Sequence, residues 1–189
     1  MHSALITNKC PWAENKPDFY RHYHDVEWGK PSFNDAHLFE HLVLEIAQAG
    51  VSWYVVLKKR EGYARAFGGP SPEVAAHLNA AEIEQLLLDP GIIRNRAKML
   101  ATVHNARLVM ELQQKHGSFA NYMWGFVDGK QIDNKFEQMG QVPAETDLSR
   151  RISKEMKLLG FKFTGPVGIY AFMQSVGMVN DHLVSCPCR

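Results

Sequence analysis

The sequence predicts an all-α fold, and three observations carry that prediction. Apolar residues recur at the 3.6-residue period along several stretches, and Ser, Thr, Asp or Asn stands ahead of most of them. Glycine or a Pro/Gly break follows these stretches. No alternating run finds an evident partner strand. The composition permits a packed helical core, with 46 % of the 189 residues hydrophobic and 22 % charged. A chain of this length buries roughly 70 % of the surface its unfolded form exposes, so the core needs no disulfide staples.

In chain order, Leu38, Phe39, Leu42, Val43, Ile46 and Ala49 form one stripe and predict a helix over 36–49, with Asp35 placed to cap it and Gly50 to end it. Ser52 caps a helix over 53–59 through Trp53, Val56 and Leu57. The same stretch is β-branched enough for a short strand, and its helical neighbours decide for helix. Ser71 followed by Pro72 starts a helix over 72–78. Asn79 with Glu82 has the form of a capping box and opens 80–88, which Asp89-Pro90-Gly91 breaks. A long helix over about 95–116 stops at Gly117, and Ser118 opens a short one carrying Tyr122, Trp124 and Phe126. Residues 128–146 hold Gly129, Gly140 and Pro143 with little periodicity, a long loop of the kind that carries function. Thr146 and Asp147 start a helix that ends at Gly160, and Thr164-Gly165-Pro166 introduce a last one over 166–177. The chain reads as a single unit over 1–189, divisible into two helical subdomains, one of them 72–116.

Charge is nearly balanced, at +1 overall with histidine neutral, which excludes a histone-like polycation. The balance hides a gradient: residues 1–50 hold 4 basic and 7 acidic groups, whereas 92–189 hold 13 and 8. Arg94, Arg96, Lys98, Arg107 and Lys115 cluster in one stretch, and Arg150, Arg151, Lys154, Lys157 and Lys162 in another. These clusters suit either a nucleic-acid backbone or solvent. Three cysteines, at 10, 186 and 188, do not make a closed disulfide framework. With no leader pattern and no apolar run approaching the ~18 residues of a membrane span, the expected setting is a reducing cytoplasm with no membrane partner.

Three constellations carry chemistry. Cys10 and His24 near the start, with His182 and Cys186 near the end, make a Cys2His2 set. Two thiolates and two neutral imidazoles suit a closed structural zinc site, which would tie the two ends together. Cys188 is a competing ligand, and free thiols with surface histidines are the other reading. Glu45 falls between Leu38 and Ala49 at about 100° per residue, on the edge of the apolar stripe and away from Glu40 and Gln48. It either turns to water or accepts hydrogen bonds at the floor of an aromatic pocket. Trp12, Tyr20, Tyr23, Trp28 and Trp53 all lie in the first 53 residues and would supply that pocket or an aromatic core. Finally, Pro90, Gly91, Ile92 and Ala97 match a helix-hairpin-helix pattern, with Ile93 where its second glycine would stand. Backbone amides there, with Arg94, Arg96 and Lys98, suit a DNA phosphate; an ordinary turn is the alternative.

Together these blocks resemble one family. Cys10-Pro11-Trp12, Tyr23-His24-Asp25, Glu27-Trp28-Gly29, Leu44-Glu45, Gln48-Ala49-Gly50, Ser52-Trp53, Leu57-Lys58-Lys59-Arg60, Gly91-Ile92-Ile93-Arg94, Gly160-Phe161-Lys162-Phe163 and Val179-Asn180-Asp181-His182 are similar, in order, to the DNA-3-methyladenine glycosylase I family. The resemblance implies an all-α helix-hairpin-helix glycosylase fold with zinc held by Cys10, His24, His182 and Cys186. It implies that Glu45 hydrogen-bonds the excised base as the catalytic residue, with Tyr23 and Trp53 lining its pocket and Trp12, Tyr20 and Trp28 beside them. Gly91, Ile92, Ile93, Arg94, Arg96 and Lys98 would meet double-stranded DNA carrying alkylated bases, and free 3-methyladenine would be the product; for a base-flipping enzyme of this size a monomer is the default expectation. No Asp occurs from 90 to 127, so an aspartate-assisted mechanism has no candidate there, and no lysine is marked for lyase chemistry. Two rivals remain open at this point: a non-catalytic zinc-containing DNA-binding module, and a zinc hydrolase, which needs an open ligand position.

Overall fold

The computed structural model describes residues 9–189. Ten α-helices follow in order among them: α1 Asp18–Val26, α2 Asp35–Gln48, α3 Trp53–Lys58, α4 Arg60–Ala66, α5 Pro72–His77, α6 Ala80–Leu86, α7 Arg96–His116, α8 Phe119–Trp124, α9 Asp147–Leu158 and α10 Pro166–Ser175. The one strand pairing among the described residues is a two-residue parallel pair, β1 Ile132–Asp133 with β2 Val179–Asn180. No helix among them is long and apolar enough to cross a membrane.

Local chemistry explains most boundaries. Ser71 accepts from the Val74 amide with Pro72 at the first helical position, and Asn79 with Glu82 makes a reciprocal capping box on α6. α7 ends on Gly117, whose φ of 82° is left-handed and so free of Cβ strain only for glycine. Asn34, rather than Asp35, caps α2 by accepting from the His37 amide at 3.2 Å. Asp35 instead reaches across to α8, accepting from the amides of Phe119 at 2.9 Å and Ala120 at 2.8 Å. One carboxylate thereby satisfies two orphan donors of a neighbouring helix.

α2 is the central element. Its buried face, including Leu38, Phe39, Leu42, Val43 and Ile46, packs among α3, α7, α8 and α10 in the main core. A second, smaller cluster joins the two ends of the described chain: Cys10, Tyr20, Tyr23, Trp28, Leu57, Leu183 and Cys186. Two helices were not expected. α1 buries Tyr20, Tyr23 and His24, and α4 buries Gly62 and Tyr63. Gly62 is required where it stands, because a Cβ there would lie 2.1 Å from the Gly91 carbonyl oxygen.

Candidate active site and metal centre

A cavity of about 370 Å³ opens where the small cluster meets α2 and α10. Trp12, Tyr20, Tyr23, Trp28, Glu45 and Trp53 all line it, so the expected aromatic residues and the expected glutamate share one pocket. Their rings pack on one another. Trp12 meets Trp28 edge-on at 4.9 Å and Tyr20 at 5.7 Å between centroids, and Tyr23 meets Trp53 at 5.3 Å. Such walls offer π faces to a flat ligand, and those faces favour a cation.

Glu45 is the one carboxylate lining the cavity. Burial alone pushes its carboxyl up to about 8, with no neighbouring donor or cation to offset it. A group so desolvated and unpartnered is costly to ionise, and it would gain from a cationic hydrogen-bond donor entering the pocket. Beyond it, a second opening of about 530 Å³ shares Glu45, Gln48, Val167 and Ala171, so the carboxyl stands where the two meet.

The loop side of the opposite wall has no periodic signature in the sequence. Met139, Val142, Pro143 and Ala144 from the 128–146 loop line the pocket, as do Val167, Tyr170, Ala171 and Gln174 of α10. Gln48, one turn beyond Glu45, lines it too. Asp181 fixes the α10 wall from behind. Fully buried, it accepts from Tyr170 Oη at 2.6 Å and Gln174 Nε2 at 2.8 Å, and its other oxygen accepts from Asn134 Nδ2 at 2.6 Å.

Cys10, His24, His182 and Cys186 lie beside the aromatic wall, all buried, with donor atoms within 4.8 Å of one another. His182 Nδ1 stands 3.6 Å from Cys10 Sγ and 3.5 Å from Cys186 Sγ, and His24 Nε2 is 3.7 Å from Cys186 Sγ. A tetrahedral ion with two sulfur and two nitrogen ligands requires an S–N separation of about 3.6 Å. The outward ring nitrogens are also held, His24 Nδ1 by Asp25 at 2.8 Å and His182 Nε2 by the Trp28 carbonyl at 2.9 Å. That is the support a metal-ligating histidine needs. Burial pushes the Cys10 thiol up to about 12 and the His182 imidazole down to about 4, so a cation is what would bring the Cys10 thiolate into being beside a neutral ring. The four residues fit one metal ion. Cys188 is outside the set of four but beside it, donating to Asp25 at 3.3 Å and grouping with His24 and Asp25.

The 89–95 turn between α6 and α7 separates the expected DNA contacts. Arg94 and Arg96 are exposed, although Arg96 is paired with Glu84. Ile92 is a core residue, 2 % exposed. The Gly91 amide donates to Asp89 at 2.6 Å and that of Ile93 to the Tyr63 hydroxyl at 3.2 Å, so these two amides are already engaged. Lys98 corrects the reading based on charge. It is 6 % exposed and donates inward to the carbonyls of Ala47 at 2.8 Å and Ala49 at 2.6 Å. The cause is position: Lys98 falls on the inward stripe of α7, and α2 has no basic residue of its own in its last turn.

Comparison with known proteins identifies the family. A DNA-3-methyladenine glycosylase of Haemophilus influenzae is 43 % identical over 184 residues, covering 97 % of this chain and 99 % of the relative. DNA-3-methyladenine glycosylase 1 of Escherichia coli is 40 % identical, covering 95 % and 96 %. The solved structure of 3-methyladenine DNA glycosylase I from Staphylococcus aureus, described as the basis of 3-methyladenine recognition, superposes with a TM-score of 0.92 at 36 % identity, covering 96 % of each chain. The sequence model of the family described as methyladenine glycosylase matches residues 12–189, and the chain belongs to that family.

Proposed function

We propose that this chain excises 3-methyladenine from alkylated double-stranded DNA by hydrolysing the N-glycosidic bond, leaving an intact abasic site. One observation carries the reading: a desolvated carboxyl, Glu45, is the single acid in an aromatic cavity. Adenine methylated at N3 in DNA carries a positive charge, and it must leave the base stack to reach any such pocket. Once there, the charge stabilises the Glu45 carboxylate, which accepts from the exocyclic amine while Tyr23 and Trp53 contact the ring face. Unmodified adenine lacks that charge and leaves Glu45 costly to ionise, so the pocket discriminates by electrostatics as well as shape.

Water adds at C1′ and the base departs neutral, so the leaving group needs little protonation. No lysine lines the pocket, in keeping with release of the base and no covalent amine chemistry. Zinc is the ion we assign to Cys10, His24, His182 and Cys186, where it supplies a structural cross-link between the chain ends. With four protein ligands no position is left for water, which counts against a zinc hydrolase. Exposed Arg94 and Arg96 are the surface assigned to the DNA backbone, with the Gly91–Ile93 turn and Lys98 holding it from inside.

The test is chromatography of bases released from methylated duplex DNA by purified protein. Free 3-methyladenine with an unbroken strand is expected. Binding of duplex with no released base would instead indicate a non-catalytic DNA-binding module.

A further inference from the structure

Behind the Tyr23–Trp53 wall lies a second group of ligand-type side chains, separate from the Cys/His set. His37 and His41 stand one turn apart on α2, their ring centroids 4.5 Å from each other. Glu27, just after α1, faces them, and the three donor atoms lie within 4.8 Å of one another. His41 is fully buried, yet neither of its ring nitrogens has a hydrogen-bond partner among the described residues. Its Nε2 is 3.8 Å from Glu27 Oε2, too far for a hydrogen bond. A buried imidazole with both nitrogens unsatisfied is an uncompensated cost that ordinary packing does not explain.

We propose that Glu27, His37 and His41 form a second metal site, for a borderline divalent transition ion such as Zn(II), Co(II) or Ni(II). Two imidazoles and one carboxylate match that class of ion, whereas Mg(II) and Ca(II) require oxygen donors. Both imidazoles are kept neutral: burial lowers the affinity of His41 for a proton and holds His37 down to about 4, with His41 beside it adding to the effect. Their lone pairs are therefore free at neutral pH. Burial alone would raise Glu27, but the Arg60 guanidinium bonded to it at 2.8 Å outweighs that and holds the carboxyl below the usual carboxylate range, so it is ionised.

Arg60 is the competitor. It donates to Glu27 from Nη1 at 2.8 Å, but it holds Glu40 at two points, Nε at 2.8 Å and Nη2 at 2.6 Å. It can keep Glu40 while an ion takes the Glu27 oxygen. Tetrahedral ligation needs donors about 3.4 Å apart, and half-buried His37 closes the gap by turning its side chain. Three protein ligands leave at least one position for water. The ring of His41 lies 5.9 Å from that of Tyr23 and 6.5 Å from that of Trp53. An ion held there would brace the pocket wall from outside without touching the reacting base.

The experiment is a Zn(II) titration of the full chain, with elemental analysis after gel filtration, on the wild type and on His37→Ala, Glu27→Gln and His77→Ala. The wild type should retain one equivalent more than His37→Ala and Glu27→Gln, whose affinity at this site falls by about tenfold or more. His77→Ala, altered at an exposed histidine, should match the wild type. With Co(II), the thiolate charge-transfer band of the Cys/His set should persist in the variants, while the weaker visible absorption of a nitrogen–oxygen site disappears. Equal metal content in wild type, His37→Ala and Glu27→Gln overturns the proposal, as does an equal loss in His77→Ala. Should His37→Ala fail to fold, the comparison with Glu27→Gln decides.

Discussion

Lys98 donates from Nζ to the carbonyl of Ala47 at 2.8 Å, which makes the first turn of α7 a cap for the helix that carries Glu45. The same ammonium reaches Ala49 at 2.6 Å. Two of the orphan carbonyls at the end of α2 are thus satisfied by a cation placed at the negative end of its dipole. The turn that precedes α7 and the pocket are therefore joined through one side chain.

Replacing Lys98 with Met should keep the hydrocarbon packing and leave those carbonyls unpaired in a buried place. The expected loss is about 2 kcal/mol, the scale of charged hydrogen bonds. Urea denaturation measures it. A change within about 0.5 kcal/mol, typical of surface positions, would place Lys98 outside the packing described.

Glu45→Gln should abolish most excision, by about a hundredfold or more. The same change should raise the melting temperature at alkaline pH. The sign follows from linkage: the folded carboxyl is raised to about 8 above an unfolded value near 4.5, so the folded state binds more protons and Glu45 costs stability as pH rises through that window. Calorimetry of both proteins at pH 6 and pH 9 reads the difference. A gap that fails to widen toward pH 9 would contradict the desolvation of Glu45.

Activity should follow the opposite course. A cationic base is matched by the carboxylate, so kcat/KM for methylated duplex should climb as pH rises toward 8 and level off above it. A pH profile on DNA with the lesion's fixed charge tests this. A flat profile between pH 6 and 8 would mean that Glu45 is already ionised in the free pocket.

Asp181→Ala leaves the donors of Tyr170, Gln174 and Asn134 without an acceptor. A loss of about 3 kcal/mol is expected, together with a higher KM because α10 forms one wall of the pocket. Thermal unfolding with steady-state kinetics separates the two effects.

Much of the fold was legible because helix starts are written in short-range chemistry. Ser71-Pro72 and the pairing of Asn79 with Glu82 each name a boundary by a single hydrogen-bond pattern. α1 escaped because its buried face is aromatic and histidine-bearing rather than aliphatic: Tyr20, Tyr23 and His24 keep the i, i+3, i+4 spacing that could have revealed it. α4 escaped because its apolar residues are few and Gly62 interrupts them.

In the site, Glu45 was visible from its angle on α2, and the aromatic residues from their concentration before residue 54. The loop wall at Met139–Ala144 had no such signal, since a non-periodic segment does not say which surface it covers. Lys98 shows the limit of reading charge: a cluster of basic residues records their number, not the direction each faces.

Cys10→Ala should remove one of four ligands and with it most of the bound metal. Metal content well below one equivalent and a lowered melting temperature are expected from elemental analysis and calorimetry. Unchanged content would remove Cys10 from the centre.

The most direct test of the central claim compares wild type with Glu45→Gln on one methylated duplex, measuring free 3-methyladenine and strand integrity together. Release by the wild type with unbroken strands, and near-complete loss in a folded, metal-bearing Glu45→Gln, is the predicted result. Equal release by both proteins would contradict it.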